Sequence, residues 1–122
     1  MIVAETLGRR LTAFDIGAAG ALSNRRVWAD LGERIPDGIC LDAEGAIWFA
    51  TPTAANECVR VVEGGQVLDV IDTGQPCFAC MLGGEDGRSL FMLTASWAEP
   101  GQPPKKGHVL VADAPAPHAG LP

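Results

Sequence analysis

The sequence predicts an all-β fold built from repeated strand–turn–strand units, and three observations predict it. Short apolar runs alternate along the chain with turns rich in Gly, Asp and Glu, and no window of about eleven residues keeps a helical spacing of apolar positions. The run from Pro36 through Thr51 holds an aspartate after a proline, an apolar strand, an acidic Gly turn and a second apolar strand, and a weaker copy runs from Pro76 to Thr94, 40 residues on. Equivalent positions keep the register: Thr6, Thr51 and Thr94 close three second strands at spacings of 45 and 43, and Asp15, Glu63 and Asp113 mark three third strands at spacings of 48 and 50. A strand-rich repeat of about 40–50 residues is the period of a β-propeller blade.

Each element follows in order. Strands are expected at Ile2–Glu5, Arg10–Ile16, Asn24–Ala29, Gly38–Leu41, Ile47–Thr51, Cys58–Val62, Gln66–Ile71, Cys77–Leu82, Leu90–Ala95 and His108–Ala112. Turn signals separate them: Gly17 to Gly20, Ala43-Glu44-Gly45, Gly64-Gly65, Thr73-Gly74 and Glu85-Asp86-Gly87. Gly64-Gly65 is a near-minimal hairpin, since both residues can take positive φ. With blade strands named A to D from the axis outwards, the chain opens at strand B of one blade, gives a complete blade over residues 36 to 72, and continues into strands A to C of a third. Residues 1–113 thus read as about two and a half blades. Pro100 to Lys106 reads as an exposed loop, and residues 114–122, rich in Ala and Pro, as a flexible tail with nothing to pack.

Bulk properties narrow the function. At 122 residues the chain is at most one domain, and 48% apolar with 20% charged residues describes a globular chain. The net charge of −6, with basic residues adjacent only at Arg9-Arg10, Arg25-Arg26 and Lys105-Lys106, argues against a nucleic-acid partner. No stretch approaches the roughly 18 apolar residues of a membrane span, so no membrane partner is expected. The first residues carry no basic, long-apolar leader. The four cysteines, Cys40, Cys58, Cys77 and Cys80, all lie in apolar strand-like runs. They read as buried free thiols of a reducing compartment, which makes a cytoplasmic location the expectation.

In a propeller, chemistry gathers where the innermost strands converge, and Asp37 stands at the start of such a strand. A hard divalent cation wants carboxylate oxygen, but an aspartate after proline also serves turns, and the residues alone leave both readings open. Cys77-Phe78-Ala79-Cys80 has C-x-x-C spacing in a strand, where residues three apart are expected to face opposite sides. Redox motifs of this spacing are activated at helix N-termini. A four-cysteine zinc site needs a second close pair, whereas Cys40 and Cys58 are 18 apart. Neither His108 nor His118 has a partner at ligand spacing. Glu5, Asn56, Glu57, Ser96 and Trp97 fall in loops that share a face with Asp37 and read as solvated loop residues. Asp42-Ala43-Glu44-Gly45 and Glu85-Asp86-Gly87 lack EF-hand spacing and read as tight turns.

Several stretches, in order, carry a resemblance. They are Val3 to Ile16, Leu22-Ser23-Asn24-Arg25-Arg26, Ile35-Pro36-Asp37-Gly38, Asp42 to Trp48, Arg60-Val61, and Gly83 to Phe91. The set resembles the C-terminal part of the senescence-marker-protein/gluconolactonase/luciferin-regenerating-enzyme family. That resemblance implies a partial six-bladed propeller and a metal-dependent hydrolase acting on small-molecule sugar lactones. It implies a divalent metal cation (calcium, zinc, manganese or magnesium) held by a glutamate, an asparagine and the aspartate of the Pro-Asp-Gly motif. Asp37 alone matches that set, as metal ligand and catalytic general base. The glutamate, the asparagine and the substrate-binding residues have no counterpart in these 122 residues, so the chain by itself is expected to be inactive. The alternative is a catalytically inactive fragment that acts as a binding or self-associating module through its open blade edges.

Overall fold

The structure, a computed structural model, describes residues 1–98, 101 and 106–120. Ten strands run in order through them: β1 Ile2–Glu5, β2 Arg10–Ile16, β3 Leu22–Asp30, β4 Ile39–Leu41, β5 Ile47–Ala50, β6 Glu57–Val61, β7 Val67–Asp72, β8 Cys77–Gly83, β9 Ser89–Thr94 and β10 His108–Asp113. All pairings between strands are antiparallel and sequential, giving sheets β1-β2-β3, β4-β5-β6-β7 and β8-β9-β10. The one helical segment described is a single 3-10 turn at Ala18–Gly20. The result is the expected partial propeller: one four-stranded blade between two three-stranded ones.

Burial explains the apolar runs. β5 is buried at all four positions because it is covered on both faces. Ile47 and Phe49 pack with Val59 and Val61 against Leu11, Ala13, Trp28 and Ala29 of the first sheet. Trp48 and Ala50 point the other way, into a cluster with Cys58, Cys80, Leu82, Leu90 and Met92 that joins the second sheet to the third. A strand between two packed sheets needs no polar face, so it loses the usual alternation. The hairpin at Gly64-Gly65 takes φ of +92° at both residues, as its sequence requires.

Two expectations are corrected. Cys77 and Cys80 do not face opposite sides of β8. Cys77 pairs with Thr94 and Ala79 with Leu93, so Phe78 is an extra residue in the ladder. This bulge resets the alternation, and both thiols turn inward.

The tail also packs. Ala114 and Ala116 are buried. The Ala43 N–H donates to the Pro117 carbonyl at 2.8 Å, the Ala119 N–H to Leu41 at 3.1 Å and the His118 N–H to Gly87 at 3.0 Å. Residues 114–120 thus lace the β4–β5 turn to the β8–β9 turn, because small Ala side chains let the backbone lie close enough to bond. Residues 121 and 122, and most of the loop expected at Pro100 to Lys106, lie outside the described residues.

The β4–β5 turn is held by a buried ion pair. Asp42 accepts the N–H groups of Glu44 at 2.9 Å and Ala46 at 3.0 Å, and its other oxygen accepts Arg60 Nε at 2.8 Å. Arg60 also pairs with Glu44 at 2.7 Å and Asp69 at 3.4 Å. The Asp42-Ala43-Glu44-Gly45 turn is therefore tight, as its sequence suggests, and it is anchored to β6 as well.

Candidate functional site

Asp37 lies in the connection that carries the chain from the first sheet into β4. Its N–H donates to the Ala50 carbonyl at 2.9 Å, and the next residue, Gly38, donates to Phe78 at 3.0 Å and accepts from Ala50 at 2.9 Å. The backbone of Asp37-Gly38 is thus clamped between the end of β5 and the start of β8. Glycine is required there: a Cβ on residue 38 would sit 2.7 Å from the Ala79 Cα. Pro36 beside it is buried, while Asp37 is exposed. No described residue hydrogen-bonds its carboxylate, whose oxygens are open to a ligand.

Neighbouring side chains fix this end of the sheets. Arg34, three residues before Asp37, donates Nε to Glu57 at 2.8 Å and ties the connection to the start of β6. Trp97 packs edge-on against Phe78, with ring centroids 5.0 Å apart at 68°, and its indole N–H donates to the Pro52 carbonyl at 3.2 Å. The Ser96 hydroxyl lies 3.5 Å from Gln75 Oε1. Asn56 takes a left-handed φ of +53°, and its carbonyl accepts the Thr73 N–H at 2.7 Å. Trp97, Phe78 and the Asp37 connection therefore gather at one end of the second and third sheets.

The remaining candidates have structural work. Glu5 accepts Arg10 at 2.7 Å, Arg25 at 2.6 Å and the Thr12 hydroxyl at 2.6 Å, which together hold its carboxyl down at about 2. Glu57 is taken by Arg34. Arg34 and Phe78 are the residues of this end that motif reading missed. The signal for Arg34 was its place just before Ile35-Pro36-Asp37; Phe78 had none, since its position depends on the bulge.

Among the described residues no group of three or more His, Cys, Asp or Glu is placed to hold a metal ion. Asp37 is one hard oxygen donor, suited to a divalent cation but short of the coordination such ions require. Two cavities, of about 360 and 320 Å³, border β4 instead, and both are lined by Ile39, Cys40 and Leu41. Neither is lined by Asp37.

Comparison with known proteins agrees with this geometry. The family model described as the SMP-30/Gluconolactonase/LRE-like region matches residues 1–96. Regucalcin of Danio rerio is 30% identical over 95 residues, and that of Homo sapiens 31% over 96. Each alignment covers 75% of this chain and 32% of the relative, so the chain spans about a third of the length of these curated relatives. The solved luciferin-regenerating enzyme superposes with a TM-score of 0.78 at 20% identity, over 97% of this chain and 42% of that one. With its three sheets and its Pro-Asp-Gly segment in place, this chain belongs to the SMP-30/Gluconolactonase/LRE-like family.

Proposed function

We propose that the chain is the C-terminal part of a longer propeller that hydrolyses sugar lactones with a divalent metal cation, and that Asp37 is its catalytic and metal-binding residue. The observation that carries this is the exposed, unengaged carboxylate of Asp37 on a backbone clamped from both sides, within the segment that matches the family. A cation bound there would supply a water of lowered pKa and polarise the lactone carbonyl. Asp37 contributes a hard oxygen and a proton acceptor. The Arg34–Glu57 pair holds the connection that presents it, and Phe78 with Trp97 forms an apolar wall nearby. The remaining ligands would come from further blades, because the described residues offer Asp37 alone. Calcium, zinc, manganese and magnesium all fit one carboxylate. Four free thiols support a reducing, cytoplasmic setting for the same proposal.

A second reading, an inactive self-associating module, is favoured by the exposed Met81, Leu93, Val109 and Val111 on the third sheet. One experiment separates the two. Acid release from gluconolactone is measured with added divalent metal, corrected for spontaneous hydrolysis, for the 122-residue chain and for a version joined to the upstream blades of a relative. The first reading expects turnover only in the joined protein, and loss of it in Asp37→Ala. An Asp37→Ala joined protein with unchanged activity removes Asp37 from the mechanism. An inactive joined protein, beside a short chain that sediments as a stable oligomer, supports the second reading.

A further inference from the structure

The bulge at Phe78 brings together four cysteines that are scattered in sequence. Cys40 on β4, Cys58 on β6 and Cys77 and Cys80 on β8 all belong to one buried cluster between the second and third sheets. The strands approach closely there. The Cys80 thiol donates to the Gly38 carbonyl, on the connection into β4, at 3.5 Å, and Gly38 has no room for a Cβ against Ala79. Cys80 is thereby held beside the residue two before Cys40, while the Cys77 thiol donates within its own strand to the Ala79 carbonyl at 3.6 Å. Four sulfurs in one place raise the question of a thiolate metal site, but no three of them are placed to grip an ion.

Access distinguishes the four. Cys58 and Cys77 are 0% exposed and Cys80 4%, whereas Cys40 is 8% exposed and lines both cavities beside β4. The larger of these, about 360 Å³, is walled by Met81 and by His118 to Gly120 of the packed tail, and it is roomy enough for a small electrophile.

We propose that Cys40 is a reactive thiol that takes a hydroperoxide from this cavity, and that Cys80 resolves the product into a disulfide joining the second sheet to the third. The Cys40 thiolate attacks the peroxide, forming an S–O bond as the O–O bond breaks, and the departing oxygen leaves as an alcohol, or as water from hydrogen peroxide. The Cys80 sulfur then attacks the Cys40 sulfenic acid. The S–S bond forms, the S–O bond breaks, and the hydroxide leaves as water with the Cys80 proton. Two thiols are oxidised and one peroxide is reduced. The electrostatics support this division of labour. The Cys80 thiol beside it draws the Cys40 thiol below its ordinary pKa, although burial opposes it, and Cys80 is pushed well up; Cys58 is drawn down as well, but it is fully buried and lines neither cavity. A thiolate beside a protonated partner is the arrangement of an attacking and a resolving cysteine.

The test uses the reduced, native 122-residue chain. Brief alkylation with iodoacetamide, with sites assigned from fragment ions, should modify Cys40 about tenfold faster than any other cysteine. Treatment with hydrogen peroxide should then link Cys40 to Cys80 while Cys58 and Cys77 stay alkylatable. In Cys80→Ala, with its fold checked by circular dichroism, peroxide should leave a sulfenic acid on Cys40 that dimedone captures. Equal alkylation of all four, or a Cys58–Cys77 link with Cys40 free, overturns the proposal. If Cys80→Ala does not fold, the two wild-type measurements decide.

Discussion

Replacing Asp42 by alanine should destabilise the chain by about 3–5 kcal/mol, the range for stripping one partner from a buried ion pair. Asp42 is fully buried, and Arg60 is 5% exposed in its side chain. Two guanidinium nitrogens of Arg60 lie on one Asp42 oxygen, at 2.8 and 2.7 Å, and the other oxygen takes the N–H groups of Glu44 and Ala46. Without the carboxylate, Arg60 keeps only Glu44 and Asp69, whose side chains are 64% and 45% exposed. Exposed partners are screened and offset at most about 1 kcal/mol. The lost turn acceptors add about 1 kcal/mol each where the N–H stays dry. Against a typical domain stability of about 5–15 kcal/mol, urea denaturation should register a large fall in midpoint. The double variant Asp42→Asn, Arg60→Met, which leaves no buried charge unpaired and keeps a turn acceptor, should cost less than Asp42→Ala alone. A loss below about 1 kcal/mol for Asp42→Ala, or a double variant as damaging as the sum of its parts, would refute the reasoning.

Three further outcomes can be checked. Glu5 is held at about 2 in the folded chain against an ordinary 4.5, so its contribution is present above pH 4.5 and is lost as pH falls toward 2; denaturation midpoints across that window should fall less steeply in Glu5→Gln than in the wild type, and equal slopes would contradict the assignment. Gly38→Ala should force β4 away from β8 and cost about 1–3 kcal/mol, with faster alkylation of Cys80 as the seam opens; unchanged stability would mean that the two strands can separate freely. Asp37→Ala should alter stability by no more than about 0.5 kcal/mol, since the carboxylate is exposed and no described residue bonds to it, and a larger loss in urea denaturation would give Asp37 a structural role instead.

What could be read from the chain beforehand was whatever depends on neighbours in sequence. β1 and β2 begin and end where the apolar runs do, because a strand's limits are set locally by alternation and turn residues. Gly64-Gly65 and the Asp42 turn were equally legible. Arg60 was not, since it sits 18 positions beyond Asp42 and meets it only when β4, β5 and β6 are laid side by side. The same limit explains the cysteines. A two-residue alternation sends Cys77 and Cys80 apart, and one extra residue in the ladder at Phe78 reverses that. Nothing in the composition of Cys77 to Cys80 announces a bulge, because the bulge answers to the register of β9.

Asp37 shows both sides of this limit. The residue itself is marked by a local motif, Pro36-Asp37-Gly38, whose glycine is demanded by a contact with Ala79 more than forty positions away. The motif is thus a local trace of a long-range constraint: β4 must start close against β8, and only glycine permits it. What surrounds the carboxylate has no such trace. Arg34, Glu57, Phe78 and Trp97 come from four separate segments and are brought to one end of the sheets by blade packing. The proposed site is therefore marked in the sequence by one residue, and the neighbours of that residue follow only from the packed fold.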